Sequence, residues 1–396
     1  MNILLYIQLM EKGEQIQIVK ELSWSEKELP QKERTKHVHS IHQYMGKYVP
    51  QLVDYFLQRD LKNAKFILDP FAGSGTTLVQ SNIHGIPSIG IDVSEFNVLL
   101  CNVKVQKYDT QLLKTELEDI FLKTMSFDSL TLDDFVINKQ KKTLDTKSDY
   151  LKKWYSPEAL EKLLIFQKLI PNYKYQDVLK IVLSRAARSS RMATHFELDF
   201  PKKPQTEDYY CHKHSRICHP TTNSLTFIKR YCKDVLHRIS EFQNLRNDVY
   251  TKAFCGDAKT FDFSKHKFKI DGIITSPPYV GLIDYHEQHR YAYELLGIDD
   301  NSNHEIGQKK HGTSKRAVEK YKSDITEVFK NIANNVLDKK NGNIVVVVND
   351  RLNLYEDIMN NAGLGISKRL KRQVDRRTGR RSSGFYEDII IWNAKR

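Results

Sequence analysis

Lys65-Phe66-Ile67-Leu68-Asp69-Pro70-Phe71-Ala72-Gly73-Ser74-Gly75-Thr76-Thr77 runs from an apolar segment through a glycine turn into a helical stretch, residues 78–84, that Gly85 closes. It reads as strand, turn, helix. A second apolar segment, residues 88–91, ends in Asp92 and leads into a helical stretch over 95–105. This alternation predicts an α/β fold with a doubly wound, mostly parallel sheet. It stops between Tyr108 and Asp248, where Ser156-Pro157-Glu158 opens one helix and residues 175–190 and 222–242 read as two more. Strand signals resume at residues 249–254, 270–275, 343–348 and 386–392. The expected organisation is one sheet domain in two halves, residues 1–107 and 249–396, interrupted by a mainly helical insertion, residues 108–248. The polar stretch 299–322 reads as a mobile loop or lid.

Glycine after a strand lets a ligand approach backbone N–H groups and a helix N-terminus closely. A phosphate loop is excluded, because the lysine of G-x-x-x-x-G-K-[ST] is missing. A dinucleotide fingerprint is poor, because Leu78 stands at the third glycine position. Instead the turn offers two acids at strand ends, Asp69 and, twenty-three residues on, Asp92. Asp92 is placed to accept from both hydroxyls of a ribose, and Asp69 to meet a ligand cation such as an amino-acid ammonium. An adenosine joined to an amino acid, without phosphate, fits this layout better than NAD.

The chain has 396 residues, with 62 Lys+Arg against 49 Asp+Glu, a net charge of +13 and pI ≈ 9.2. That length allows two or three domains, or one with an insertion. With 40% hydrophobic and 10% aromatic residues the chain is globular rather than disordered. Five scattered cysteines point to a reduced compartment. The start, MNILLYIQLMEKGE, lacks the basic region and cleavage site of a leader, and no run approaches the ~18 apolar residues of a membrane span. The expectation is a soluble cytoplasmic protein without a membrane partner. The positive charge is concentrated: residues 184–238 hold eleven Lys+Arg against five Asp+Glu, and residues 364–381 eight against one. Two basic patches on a neutral body suggest a polyanion partner.

Ser276-Pro277-Pro278-Tyr279 follows the apolar segment ending at Thr275, nineteen residues after Gly256-Asp257. Two prolines fix φ near −65° and leave carbonyls without competing local N–H groups. The two protons of an aromatic amine can then be held by Ser276 Oγ and the Pro277 carbonyl, which favours a tetrahedral, nucleophilic nitrogen. Tyr279 supplies a flat face for an extruded base.

Asp69–Thr77 resembles the S-adenosylmethionine-binding motif of DNA methyltransferases that modify exocyclic amino groups, cytosine-N4 or adenine-N6. The resemblance implies a Rossmann-like methyltransferase core whose sheet closes with a C-terminal antiparallel hairpin. It implies cofactor contacts from Asp69, Pro70, Phe71, Gly73, Gly75, Thr76 and Thr77, ribose and adenine contacts from Asp92 and Val93, and an adenine-amino contact from Asp257. Residues 39–50 are similar to the segment the family folds over the methionine end, with Tyr44, Lys47 and Pro50 as candidates. Ser276, Pro277, Pro278 and Tyr279 map onto its catalytic tetrapeptide. Ser at the first position resembles the cytosine-N4 members, Asp or Asn the adenine-N6 members. Cytosine-C5 chemistry is excluded, since no cysteine follows a proline. Gly256-Asp257 departs from the family order by falling after the insertion.

Arg185, Arg188 and Arg191 repeat along one side of the expected helix, where they can track phosphates. Lys368, Arg369, Arg376, Arg377, Arg380 and Arg381 sit in what reads as a basic hairpin loop, suited to duplex DNA. Cys211, His214, Cys218 and His219 have the composition of a zinc site, but adjacent Cys218-His219 is an unusual spacing and methyl transfer needs no metal, so none is expected. The reading is a cytosine-N4 DNA methyltransferase acting on a flipped cytosine, the modification half of a restriction–modification pair beside a separate endonuclease. Its rivals are an adenine-N6 enzyme, an RNA guanine-amino methyltransferase and a non-catalytic nucleic-acid-binding protein.

Overall fold

A computed structural model describes residues 6–11, 14–127, 146–265, 269–281, 284–335, 337–374 and 385–394. Its main sheet has nine strands in the order β1-β2-β10-β11-β9-β8-β3-β4-β7. They are β1 (Tyr6–Glu11), β2 (Glu14–Val19), β3 (Ile67–Asp69), β4 (Ser88–Asp92), β7 (Thr251–Cys255), β8 (Gly272–Thr275), β9 (Asn343–Val348), β10 (Lys368–Val374) and β11 (Phe385–Asn393). β5 (Tyr209–Cys211) and β6 (Arg216–Cys218) form a separate two-stranded hairpin.

β7, β4, β3, β8 and β9 pair in parallel, whereas β11 runs antiparallel to both β9 and β10. That is the doubly wound sheet with a terminal antiparallel hairpin expected from the sequence. Both faces of the central strands are covered, so β8 and β9 read as unbroken apolar runs with Ile273, Ile274, Val345, Val346 and Val347 fully buried. The chain winds outward from β3 through β4 to β7 on one side, and from β8 through β9 to β11 on the other. The winding reverses between β3 and β8, where open α/β sheets form a crevice beyond the carboxyl ends of their strands.

The insertion is helical, as expected, with Thr110–Ser126, Pro157–Leu169, Gln176–Ser190 and Leu225–Gln243 as its long helices. It is not a detached body. Leu113, Phe166, Val182 and Ile239 share one apolar core with Phe96 and Leu100 of helix Glu95–Val105 and with Tyr291 and Leu295 of helix Arg290–Leu296. Two further expectations are corrected. Residues 368–374 form strand β10 rather than a loop, because Leu370, Arg372 and Val374 alternate inward and Arg372 finds a buried partner in Glu387. Residues 299–322 are not one loop: they hold turns at Ser302–His304 and Lys309–His311 and the start of helix Lys315–Asn335.

Candidate active site

Four strand ends converge on the crevice: Asp69 closes β3, Asp92 closes β4, Gly256-Asp257 follows β7, and Ser276 follows β8. A cleft opens at this edge of the sheet. Of the residues singled out in the sequence, Tyr44, Lys47, Pro70, Phe71, Gly73, Thr76, Asp92, Val93, Asp257, Ser276 and Pro278 line it.

The glycine turn depends on two left-handed residues. Gly73 has φ +48°, and a Cβ there would lie 2.8 Å from the Tyr44 hydroxyl. Gly75 has φ +76° and caps helix Thr76–Ile83, and a Cβ there would meet the Cys101 sulfur at 2.9 Å. Lys104 donates its ammonium to the Ser74 carbonyl from behind, and burial pushes that lysine down to about 7. The Gly73 N–H donates to Asp92 Oδ2 at 2.8 Å, while Ser94 N–H and Asn97 Nδ2 donate to Oδ1 at 2.9 and 3.1 Å. Burial outweighs these bonds and raises the Asp92 carboxyl to about 6.

Asp69 does not line the cleft. It is 1% exposed and accepts from Thr275 Oγ1 at 2.6 Å, Thr77 Oγ1 at 2.7 Å and the Phe71 N–H at 3.1 Å. The Tyr48 hydroxyl donates to it as well, at 3.3 Å; buried away from the cleft and bonded across to Thr275, it braces the ends of β3 and β8 against each other. Thr77 and Gly75 stand behind the turn with it, and Pro50 is the buried first residue of helix Pro50–Gln58. Pro277 and Tyr279 also lie outside the lining. The Tyr279 hydroxyl donates to Glu387 Oε1 at 3.3 Å, and the Pro278 carbonyl accepts from Tyr321 at 3.0 Å, which fixes the turn.

The cleft is also lined by Ser94, Asn97, Tyr285, His286, His304 and Glu305, which the sequence reading does not reach. Ser94 and Asn97 are findable as a helix start just after the strand-end acid: the Ser94 side chain accepts from the Asn97 N–H. The other four carry no local motif.

Four of the nine basic candidates, Arg185, Arg188, Arg191 and Arg369, are engaged within the fold. Arg185 is paired with Asp234 at 2.6 Å and Arg188 with Asp199 at 2.6 Å. Arg191 is 2% exposed and lies over the Tyr291 ring, 4.6 Å from its centroid. The expected phosphate-tracking row is therefore turned into the fold, with two arginines in ion pairs and Arg191 donating to the Tyr150 hydroxyl and the Leu198 carbonyl. Arg369 pairs with Asp350 at 3.1 Å and Asp388 at 3.2 Å. Lys368 is exposed. Arg376, Arg377, Arg380 and Arg381 lie outside the described residues.

Residues 7–103 match the family model described as DNA methylase, that of the N6/N4 methyltransferases. Type II methyltransferase M.MjaII of Methanocaldococcus jannaschii is 40% identical over 432 aligned positions, covering 91% of this chain and 81% of its own. The chain belongs to the amino-methylating DNA methyltransferases. Type II methyltransferase M.BsoBI of Geobacillus stearothermophilus is 22% identical, over 70% of this chain and 56% of that protein. The rRNA methyltransferase aviRa of Streptomyces viridochromogenes superposes on 89% of each chain with TM-score 0.34 and 11% identity, too distant to bear on the argument.

The methyltransferase uses S-adenosylmethionine, and the cleft suits it. Ser74 Oγ, Thr76 Oγ1 and Asn97 Oδ1 belong to lining residues and are buried without a protein partner, which leaves them for a polar ligand. No helix of the described residues is long and apolar enough to cross a membrane.

Proposed function

We propose that this DNA methyltransferase transfers a methyl group to the N4 amino group of cytosine in duplex DNA, as the modification enzyme of a restriction–modification pair with a separate endonuclease. The observation that carries the reading is that Ser276 and Pro278 line the same cleft as Asp92 and Gly73. The 40% identical relative's being a Type II methyltransferase supports the restriction–modification role.

S-adenosylmethionine would lie with its ribose on Asp92, its adenine between Val93 and Asp257, and its methionine end toward Tyr44, Lys47 and Thr76; it supplies an electrophilic methyl. Ser276 Oγ and the Pro277 carbonyl accept the two amino protons of the flipped base and hold the nitrogen lone pair toward the cleft. Tyr279 stacks on that base, and its hydroxyl bond to Glu387 sets the ring's plane. The exposed Lys368 and the arginines of 376–381 are assigned to phosphate contact.

Digestion of DNA methylated with labelled cofactor, followed by chromatography of the nucleosides, is expected to give N4-methylcytosine. N6-methyladenine, or label only in RNA, refutes the assignment. A second expectation concerns pH. An ionised carboxylate is the stronger acceptor for ribose hydroxyls, and burial raises the Asp92 carboxyl to about 6. Cofactor affinity is therefore expected to rise with pH up to about 7 and to fall below 6, by at most about tenfold per unit. Asp92→Asn should weaken binding and flatten that profile. A steep profile surviving in Asp92→Asn, followed by calorimetry, assigns the titration elsewhere.

A further inference from the structure

The insertion's hairpin is too small to hold itself together. β5 and β6 contribute three residues each, joined through Ser215 at φ +51°. Outward-facing Tyr210 and Ile217 are both 55% exposed and Phe196, on the segment leading in, is 65% exposed. An isolated two-stranded ribbon is marginal in water unless something else fixes it. What lies on its inner side is a polar cluster. Cys211 Sγ is 3.6 Å from His195 Nδ1 and 3.7 Å from His214 Nδ1, and Cys218 Sγ is 3.5 Å from His214 Nδ1. All four donor atoms lie within 4.8 Å of one another, with both cysteines buried.

We propose that His195, Cys211, His214 and Cys218 form a structural zinc site. Zn–S bonds of ~2.3 Å and Zn–N bonds of ~2.0–2.1 Å at tetrahedral angles separate a thiolate from an imidazole nitrogen by about 3.5 Å. The three S···N separations match that edge. Two thiolates and two imidazoles make a closed, soft donor set of the kind that selects Zn2+ over harder cations. Binding displaces one proton from each thiol, so the site loads as a neutral complex. The Tyr209 hydroxyl, 2.8 Å from His195 Nδ1, makes the contact that the ion takes over. None of the four residues lines the active-site cleft, so the role is to staple residues 195–218 rather than to act on substrate.

His219, the fourth ligand suggested by the sequence, is turned away toward Asp208 at 2.6 Å. Successive residues of an extended segment point to opposite sides, so Cys218 and His219 do not share an ion. His195 takes that place from sixteen residues before Cys211.

Full-length protein, purified under reducing conditions without chelator, should contain about one zinc per chain by elemental analysis. His195→Ala and Cys218→Ser should each lose it, while His219→Ala keeps it. Replacement by Co2+ should give the intense visible bands of a tetrahedral thiolate site, and zinc removal should open residues 195–218 to limited proteolysis while cofactor binding persists. Wild-type protein free of zinc, zinc retained in His195→Ala, or a Cys211–Cys218 disulfide found by mass spectrometry would overturn the assignment.

Discussion

Arg372→Ala is expected to cost about 3–5 kcal/mol of folding free energy, the penalty for removing one partner of a buried ion pair. The Arg372 side chain is 2% exposed and that of Glu387 9%. Arg372 Nε and Nη2 both donate to Glu387 Oε2, at 2.8 and 2.6 Å, and Nη1 donates to the Leu22 carbonyl at 3.3 Å. Alanine leaves the Glu387 carboxylate desolvated, with the Tyr279 hydroxyl as its remaining side-chain donor among the described residues. Removing both charges is a different experiment. Arg372→Met combined with Glu387→Leu fills the volume without a stranded charge, so it should recover most of the loss. Urea unfolding of Arg372→Met, Glu387→Leu and the pair closes the cycle. A loss under about 1 kcal/mol in Arg372→Ala would mean that water reaches the pair. Because Glu387 also holds Tyr279, the repaired double variant should remain folded yet turn over more slowly, which separates stability from positioning.

The same arginine shows where sequence reading runs short. β10 alternates Leu370-x-Arg372-x-Val374, a period-2 pattern with a charge in a core position, and counting charges makes it look like a solvated basic loop. The partner that turns it inward, Glu387, lies fifteen residues away on the paired strand. Arg185 has the same history. Its spacing with Arg188 and Arg191 is visible locally, but Asp234 sits forty-nine residues on, across a helix–helix contact. A surplus of positive charge in a window thus says little about surface charge until the pairs are known.

The cofactor cleft was legible for the opposite reason. Asp92, Gly73 and Ser276 are each set by a turn at the end of a strand, and the parallel sheet brings such turns to one edge whatever the intervening chain does. That logic reaches only residues tied to a strand end. It does not reach Tyr285, His286 and Glu305, which packing brings to the cleft, and it puts Asp69 in the site where the fold buries that carboxylate and bonds it to Thr275 of β8. For the hairpin, composition singles out Cys211, His214 and Cys218 of the proposed site, while His195, its proposed fourth ligand, lies in an irregular segment with no periodicity to follow.

Ser276→Ala is expected to lower kcat by about 10²–10³-fold, the range for deleting one preorganised hydrogen bond to a reacting group. Ser276 stands at the carboxyl end of β8, whose last residue, Thr275, is anchored to Asp69 at 2.6 Å, and the following turn is held by the bond from Tyr321 to the Pro278 carbonyl. Alanine should therefore leave the backbone in place and remove only the hydroxyl. Cofactor affinity should stay within about threefold, because the bonds assigned to the ribose come from Asp92 and not from this turn. Ser276→Asn discriminates between a positioning and an acid–base role: its amide oxygen still accepts from an amino proton but takes up no proton near neutrality, so it should retain more activity than alanine with an unchanged pH profile. Single-turnover measurement on DNA with saturating cofactor isolates the transfer step. A Ser276→Ala rate within fivefold of wild type would show that the Pro277 carbonyl alone prepares the nitrogen, and a collapse of cofactor affinity would show that Ser276 belongs to the cofactor's site instead.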